Sequence, residues 1–214
     1  MEDDTMQMLT HEMAELNELL LSCTNSIQSM ALFLNQAQDQ ELRDMIARHY
    51  AVHVQDYNMK VEFAKQQQGS TDTLDVPPLP SMQPMPMHPM SVQPVQPQIK
   101  LQQLDDRAIT TSYLLTLKRA GREYAWAAFE TSTVQMRTFL EDAFRMCSHQ
   151  AFEVWQYAVR KGWYAAQQAP AQAVQNLAQT YQEVPYHQPA AQYTSGSQPQ
   201  AQQPGMTMPG HRYQ

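Results

Sequence analysis

Four stretches of this chain repeat apolar side chains at alternating spacings of four and three, the period of a helix with one buried face. The first runs Leu9, Met13, Leu16, Leu20, Cys23, Ile27, Met30, Leu34 and predicts a helix over about Thr10–Gln36. The second, Leu42, Ile46, Tyr50, His53, Tyr57 and Val61, predicts a helix with Asp39 as N-cap and Glu41 in its first turn. It should stop near Gly69, a residue suited to a helix C-terminus. The third opens near Asp105-Asp106 and carries Tyr113, Leu117, Ala120, Tyr124 and Ala127. The fourth, capped by Ser132 or Thr133, carries Met136, Leu140, Ala143, Cys147, Ala151, Val154 and Ala158, flanked by Phe139, Phe152 and Trp155. It ends at Lys161-Gly162, where a cation suits the helix dipole and glycine suits the turn.

These stretches form two similar hairpins. A shift of 95 places sets Leu9 on Leu104, Leu19 on Leu114 and Leu20 on Leu115. After the turn a shift of 94 sets Leu42 on Met136, Arg43 on Arg137, Met45 on Phe139, Ile46 on Leu140 and Tyr50 on Phe144. One hairpin of this size cannot bury its apolar face alone, so a tandem pair predicts an all-α fold, a four-helix bundle. Four segments follow: a first hairpin over 9–67, a Pro/Met-rich linker over 68–103, a second hairpin over 104–164 and a Gln/Pro/Tyr tail over 165–214. The expected interior is one shared apolar core that admits no carboxylate, with His49 and His53 at its edge.

The linker cannot be helical, because Pro77, Pro78, Pro80, Pro84, Pro86, Pro89, Pro94 and Pro97 remove backbone donors. Extended at about 3.1 Å per residue it could reach roughly 100 Å, whereas a helix of this size is about 40 Å long. It can therefore return along the whole bundle, or join neighbouring helices in simple up-down order. The tail predicts a short helix around Ala171–Tyr181, with Val174, Leu177 and Tyr181 on one side, and disorder beyond it.

Composition narrows the function. Apolar residues make up 43% of the chain, yet mean hydropathy is -0.56 because glutamine and proline fill the linker and tail. The net charge of -7 is unevenly placed. Residues 1–68 hold 11 acidic and 4 basic side chains, and residues 104–164 hold 7 and 8. That asymmetry argues against nucleic acid as a partner and could orient self-association. The acidic start, Met1-Glu2-Asp3-Asp4, does not predict a secretory signal, and no apolar run is long enough to predict a membrane span. Cys23 and Cys147 fall on apolar stripes and read as buried free thiols kept in a reducing cytosol.

In the second hairpin, several short elements stand in a fixed order: Asp106-Arg107, Tyr113-Leu114-Leu115, Leu117-Lys118, Glu130, Met136-Arg137 with Phe139, and the closing Gly162-Trp163-Tyr164. In that order and spacing the hairpin resembles the coat F family of spore coat proteins from endospore-forming bacteria. The resemblance covers about sixty residues, and the first hairpin more loosely. It implies a ferritin-like bundle and a structural place in the spore coat among other coat proteins, after synthesis in the mother-cell cytoplasm. It carries over no catalytic residue and no cofactor. The Met/Pro linker and the Gln/Tyr tail depart from a bare coat F domain.

Three constellations invite chemistry. Ferritin-like enzymes hold two metals with glutamates from two helices and a Glu-x-x-His from each of the other two. Here the candidates for iron or manganese are His49, His53, Glu130 and His149, with Glu12, Glu15 and Glu18 on the first predicted helix, Asp56 on the second, Glu123 on the third and Glu141 and Glu153 on the fourth. Neither the second nor the fourth helix contains Glu-x-x-His, so packed core is the simpler expectation. Met82, Met85, Met87, His88 and Met90 have the soft ligands that copper(I) favours, although a flexible spacer explains them as well. Lys100, Tyr181, Tyr186 and Tyr193 lie among many glutamines, where amides, amines and phenols are accessible to crosslinking enzymes. Nucleophilic catalysis has no footing: Cys147 and His149 point to different faces of one helix, and six glycines supply no phosphate loop. The sequence reading is therefore structural, with a metal-binding or redox bundle as its alternative and an adaptor for other helices as a third.

Overall fold

The computed structural model describes residues 8–65, 69–84 and 92–183. Its helices are α1 (Thr10–Gln36), α2 (Gln40–Lys65), α3 (Asp106–Glu130), α4 (Val134–Arg160) and α5 (Ala171–Thr180). The described residues are thus helical and irregular, with no strand. The chain divides after Gln167, and α5 lies in the second unit, opened by Pro170 and followed by Tyr181.

Local chemistry sets the helix ends. The Asp39 carboxylate accepts the N–H groups of Glu41 and Leu42 at 2.8 and 3.2 Å, so it caps α2 as the sequence predicts. Asp105 does the same for α3 through the Ala108 N–H at 2.7 Å. For α4 the N-cap position belongs to Thr133, whose side chain makes no capping bond. Ser132 instead donates its N–H and hydroxyl to Glu12 on α1. At the end of α4, Gly162 adopts φ +72°. Its N–H bonds to the Val159 carbonyl and that of Trp163 to the Ala158 carbonyl, the paired bonds of a Schellman stop. The Trp163 ring then packs edge-on against Tyr157 at 5.8 Å, which accounts physically for a Gly-Trp pair at this point.

The repeat is visible at the turns. Arg43 donates to the Ala37 carbonyl at 2.5 Å, and Arg137, 94 places on, donates to the Thr131 carbonyl at 2.6 Å. In each hairpin the arginine of the second helix holds the last turn of the first. The copies diverge in the core, where Asp56 and Lys60 correspond to Gln150 and Val154.

Helix direction follows from the bonds between elements. The start of α1 meets the end of α3, through His11 to the Glu130 carbonyl, and its end meets Leu104 through Gln36. Arg160 pairs with Glu41, and Lys161 reaches Asp39 at 2.5 Å, so α2 and α4 are also antiparallel. The helices therefore run up, down, down, up, with α1 beside α2 and α3, and α4 beside the same two. The linker must return along the bundle. Its contacts with α4 advance in order, from Ser70 at Gln135 and Pro77 at His149 to Ser81 and Gln83 at Gln156, then Gln93 at Gly162. Leu74 inserts into the core on the way. The long return, one of two routes the length allowed, is the one adopted. It starts at Gly69, where φ is +79° and a Cβ would sit 2.3 Å from the Phe63 ring, so no other residue fits without displacement.

Two expectations about the core need correction. On α1 the buried positions are Glu12, Leu16, Leu19, Cys23, Ser26, Met30 and Phe33. Leu9 and Met13 are exposed, and Leu20 and Leu34 only flank the core. Leu16, Cys23 and Met30 belong equally to two four-three series. Apolar residues occur in both, so periodicity alone did not choose between them. On α2, His49 and His53 are buried rather than at the edge, together with Asp56 and Lys60. The interior does admit a carboxylate, because its counter-charge comes from the same helix one turn away.

Candidate functional site

The polar side chains that α2 buries form one band, built by residues four and three apart on its inner face: His49, His53, Asp56 and Lys60. At its centre Lys60 and Asp56, both fully buried, are 2.5 Å apart. The same Asp56 oxygen, Oδ2, accepts the Tyr124 hydroxyl at 2.7 Å and the Cys23 thiol at 3.3 Å. Lys60 Nζ also lies 2.8 Å from the Tyr124 hydroxyl oxygen and over the Tyr124 and Phe139 rings. Three helices are thereby tied to one carboxylate oxygen, while its partner Oδ1 makes no hydrogen bond.

One turn up, the His53 imidazole lies 2.8 Å from the Gln150 amide oxygen, so its Nε2–H donates. Burial pushes His53 down to about 4, against the pull of Asp56 and Gln150, and it stays neutral. Another turn up, His49 meets the Tyr113 hydroxyl at 2.9 Å and Glu153 at 3.0 Å. Arg48 reaches the other oxygen of Glu153 at 2.6 Å. The His49 hydrogen bond holds the Glu153 carboxyl below its ordinary range despite desolvation, helped by Arg48. At the far end, burial raises the Glu12 carboxyl, but the N–H groups of Ser132 and Leu9 outweigh it and hold it low.

This chemistry locks rather than reacts. Burial pushes the Cys23 thiol up to about 12, with Asp56 adding to the rise against Lys60, so the sulfur is held as a thiol donor. Burial raises Cys147 and the Tyr113 and Tyr124 phenols as well. Both cysteines are free and buried, as the sequence predicts.

The metal candidates named from the sequence are not brought together. His49 and His53 share the buried band, Glu130 stands at the bundle end beside His11, and His149 is spent on the Pro77 carbonyl of the crossover. Among the described residues no group of three or more His, Cys, Asp or Glu is arranged to hold a metal ion. Met85, Met87 and His88 lie outside the described residues, as do Tyr186 and Tyr193. Sequence reasoning missed Lys60 and Tyr124 as polar core partners. The available signal was Asp56 and Lys60 four apart in phase with the buried face of α2.

The residues that carried the family resemblance have architectural contacts. Asp106 accepts the N–H groups of Gln38 and Asp39, clamping the α1–α2 turn. Arg107 donates to the carbonyls of Gln93 and Pro94 and fastens the crossover. Arg137 closes the α3–α4 turn. Lys118 lies 5.2 Å from the Tyr164 ring, and that ring meets Trp155 edge-on. Together they brace the turns, the crossover and the end of α4.

Comparison with known proteins agrees with this arrangement. Residues 105–167 match the model of the Coat F domain. The chain is similar to the spore coat protein F-like protein YhcQ of Bacillus subtilis (strain 168), 24% identical over 195 residues that cover 88% of this chain and 87% of that protein. Its fold is similar to that of a candidate spore coat protein of Bacillus halodurans C-125, with a TM-score of 0.56 at 12% identity, covering 77% of this chain and 96% of the other. The second hairpin, from the cap of α3 to just past the Schellman stop of α4, is the part of the chain that matches the Coat F domain, and the similarity to a spore coat protein F-like protein extends over most of the chain.

Proposed function

We propose that this chain is a structural building block of the bacterial endospore coat, made in the mother cell and assembled with other coat proteins. The observation that carries the reading is the use of the family residues: Asp106, Arg107, Arg137, Gly162 and Trp163 hold turns, crossover and helix end, which is the work of a scaffold. The up-down-down-up order with one long crossover supports the ferritin-like description of the bundle. In this reading the bundle is a rigid particle, and the linker and tail add contacts to neighbours once it has docked. The spore coat is its location. A fluorescent fusion in sporulating cells should enclose the developing spore, and a signal that stays diffuse through sporulation overturns the proposal.

Crosslinking extends the same reading. Lys100 is exposed near the end of the crossover, between glutamines, and Tyr181 is exposed at the end of α5. With Tyr186 and Tyr193 they are the proposed points of covalent attachment, through attack of the Lys100 amine on a glutamine amide with release of ammonia, or through coupling of two tyrosine phenols by a peroxide-using enzyme that takes up the two electrons and two protons. Mass spectrometry of purified coats should recover branched peptides containing these residues. Recovery of unmodified peptides alone removes this part.

A further inference from the structure

Two helices of the bundle carry a second series of positions that faces away from the core. On α3, Leu115, Arg122, Trp126 and Phe129 follow spacings of seven, four and three, and Trp126 and Phe129 are 64% and 80% exposed. Exposed Phe144 of α4 borders the same face, since a side chain added at Gly121 would meet it at 3.9 Å. On α1, Ala14, Glu18, Leu21, Asn25, Gln28 and Leu32 follow the four-three rule, with Leu21 and Leu32 59% and 47% exposed. A lone exposed leucine needs no explanation, but a tryptophan and a phenylalanine on one helix face mark a contact surface.

Charge says what covers it. Outside the core, helix α1 has Glu15 and Glu18 and neither lysine nor arginine, whereas the outer arc of α3 has Lys118, Arg119 and Arg122, of which Arg119 is paired with Glu123. Among the described residues neither Glu18 nor Arg122 belongs to an ion pair. We propose that the outer ridge of α1 in one copy docks against the α3–α4 face of a second copy, setting Leu21 on Trp126 and Phe129 with Glu18 near Arg122, since the steps from Glu18 to Leu21 and from Arg122 to Trp126 are nearly equal along the two helices. The two surfaces differ, so each copy keeps one of each free and the contact propagates into an open array unless its rotation happens to close. This deepens the building-block proposal and rests on it for its setting in a shell.

Sedimentation velocity of the full chain tests the contact. Mass should rise with concentration at low salt and rise less at high salt, because the charges are exposed. Trp126→Ala combined with Phe129→Ala should hold the chain monomeric. Glu18→Arg and Arg122→Glu should each weaken association by about tenfold, and the chain carrying both reversals should recover. All four side chains are exposed, and thermal unfolding confirms the fold of each variant. A monomer at every concentration, single reversals without effect, or a double reversal no better than either single overturns the inference. Fluorescence that encloses the spore, from a chain that stays monomeric in solution, removes this interface and leaves the coat proposal standing. Association in solution with diffuse fluorescence does the reverse.

Discussion

Asp56→Ala should destabilise the bundle by about 3–5 kcal/mol, the largest single-site loss expected in this chain. The substitution strands the Lys60 ammonium in a site with no solvent access, and takes the acceptor from the Tyr124 hydroxyl and the Cys23 thiol. A loss of that size is a large fraction of the roughly 5–15 kcal/mol that holds a domain folded. Replacing both charges, as in Asp56→Leu with Lys60→Met, should cost far less, because apolar side chains of similar volume can fill the gap and no charge stays buried unpaired. Urea unfolding of the parent, the single variant and the double variant checks this. A double variant as weak as the single one would show that packing, not the ion pair, carries the site.

The position of that pair shows where sequence reading succeeded and where it stopped. The starts of α2 and α3 followed from Asp39 and Asp105 and the end of α4 from Gly162, because such caps and stops are set by bonds within a few residues of each end, whereas the cap expected of Ser132 or Thr133 on α4 did not form. The duplicated turn followed from Arg43 and Arg137 for the same reason. The seam of α1 did not follow. Leu20, Ile27 and Leu34 are as apolar as Leu19 and Phe33, and the choice between the two series was made by neighbours from other helices. Nor did the buried ion pair, since a lysine reads as solvent-facing until a carboxylate on the same inner face and a tyrosine from α3 close around it. The crossover route was open by length and was fixed by side chains of α4 and α2 that hold its backbone, His149, Gln156 and Gln55 among them.

Acid should unfold this bundle through His53. Its folded value of about 4 lies below the ordinary 6.5, because burial disfavours the imidazolium more than Asp56 and Gln150 favour it. Between those two values the unfolded chain binds a proton that the folded chain refuses. The contribution is therefore complete above about pH 6.5 and is lost as pH falls toward 4, amounting to about 3 kcal/mol at the lower end. Glu153, held low chiefly by the His49 hydrogen bond, adds a further loss on the acid side as pH falls through its folded value. The two groups act in the same direction for opposite reasons: one histidine must not charge, and one carboxylate must not discharge. His53→Gln removes the first while keeping a polar side chain opposite Gln150. That variant should start less stable near pH 7 yet lose less between pH 6.5 and 4 than the parent. Denaturant midpoints for both chains across that range decide it, and equal losses would mean that His53 is not the group that senses acid.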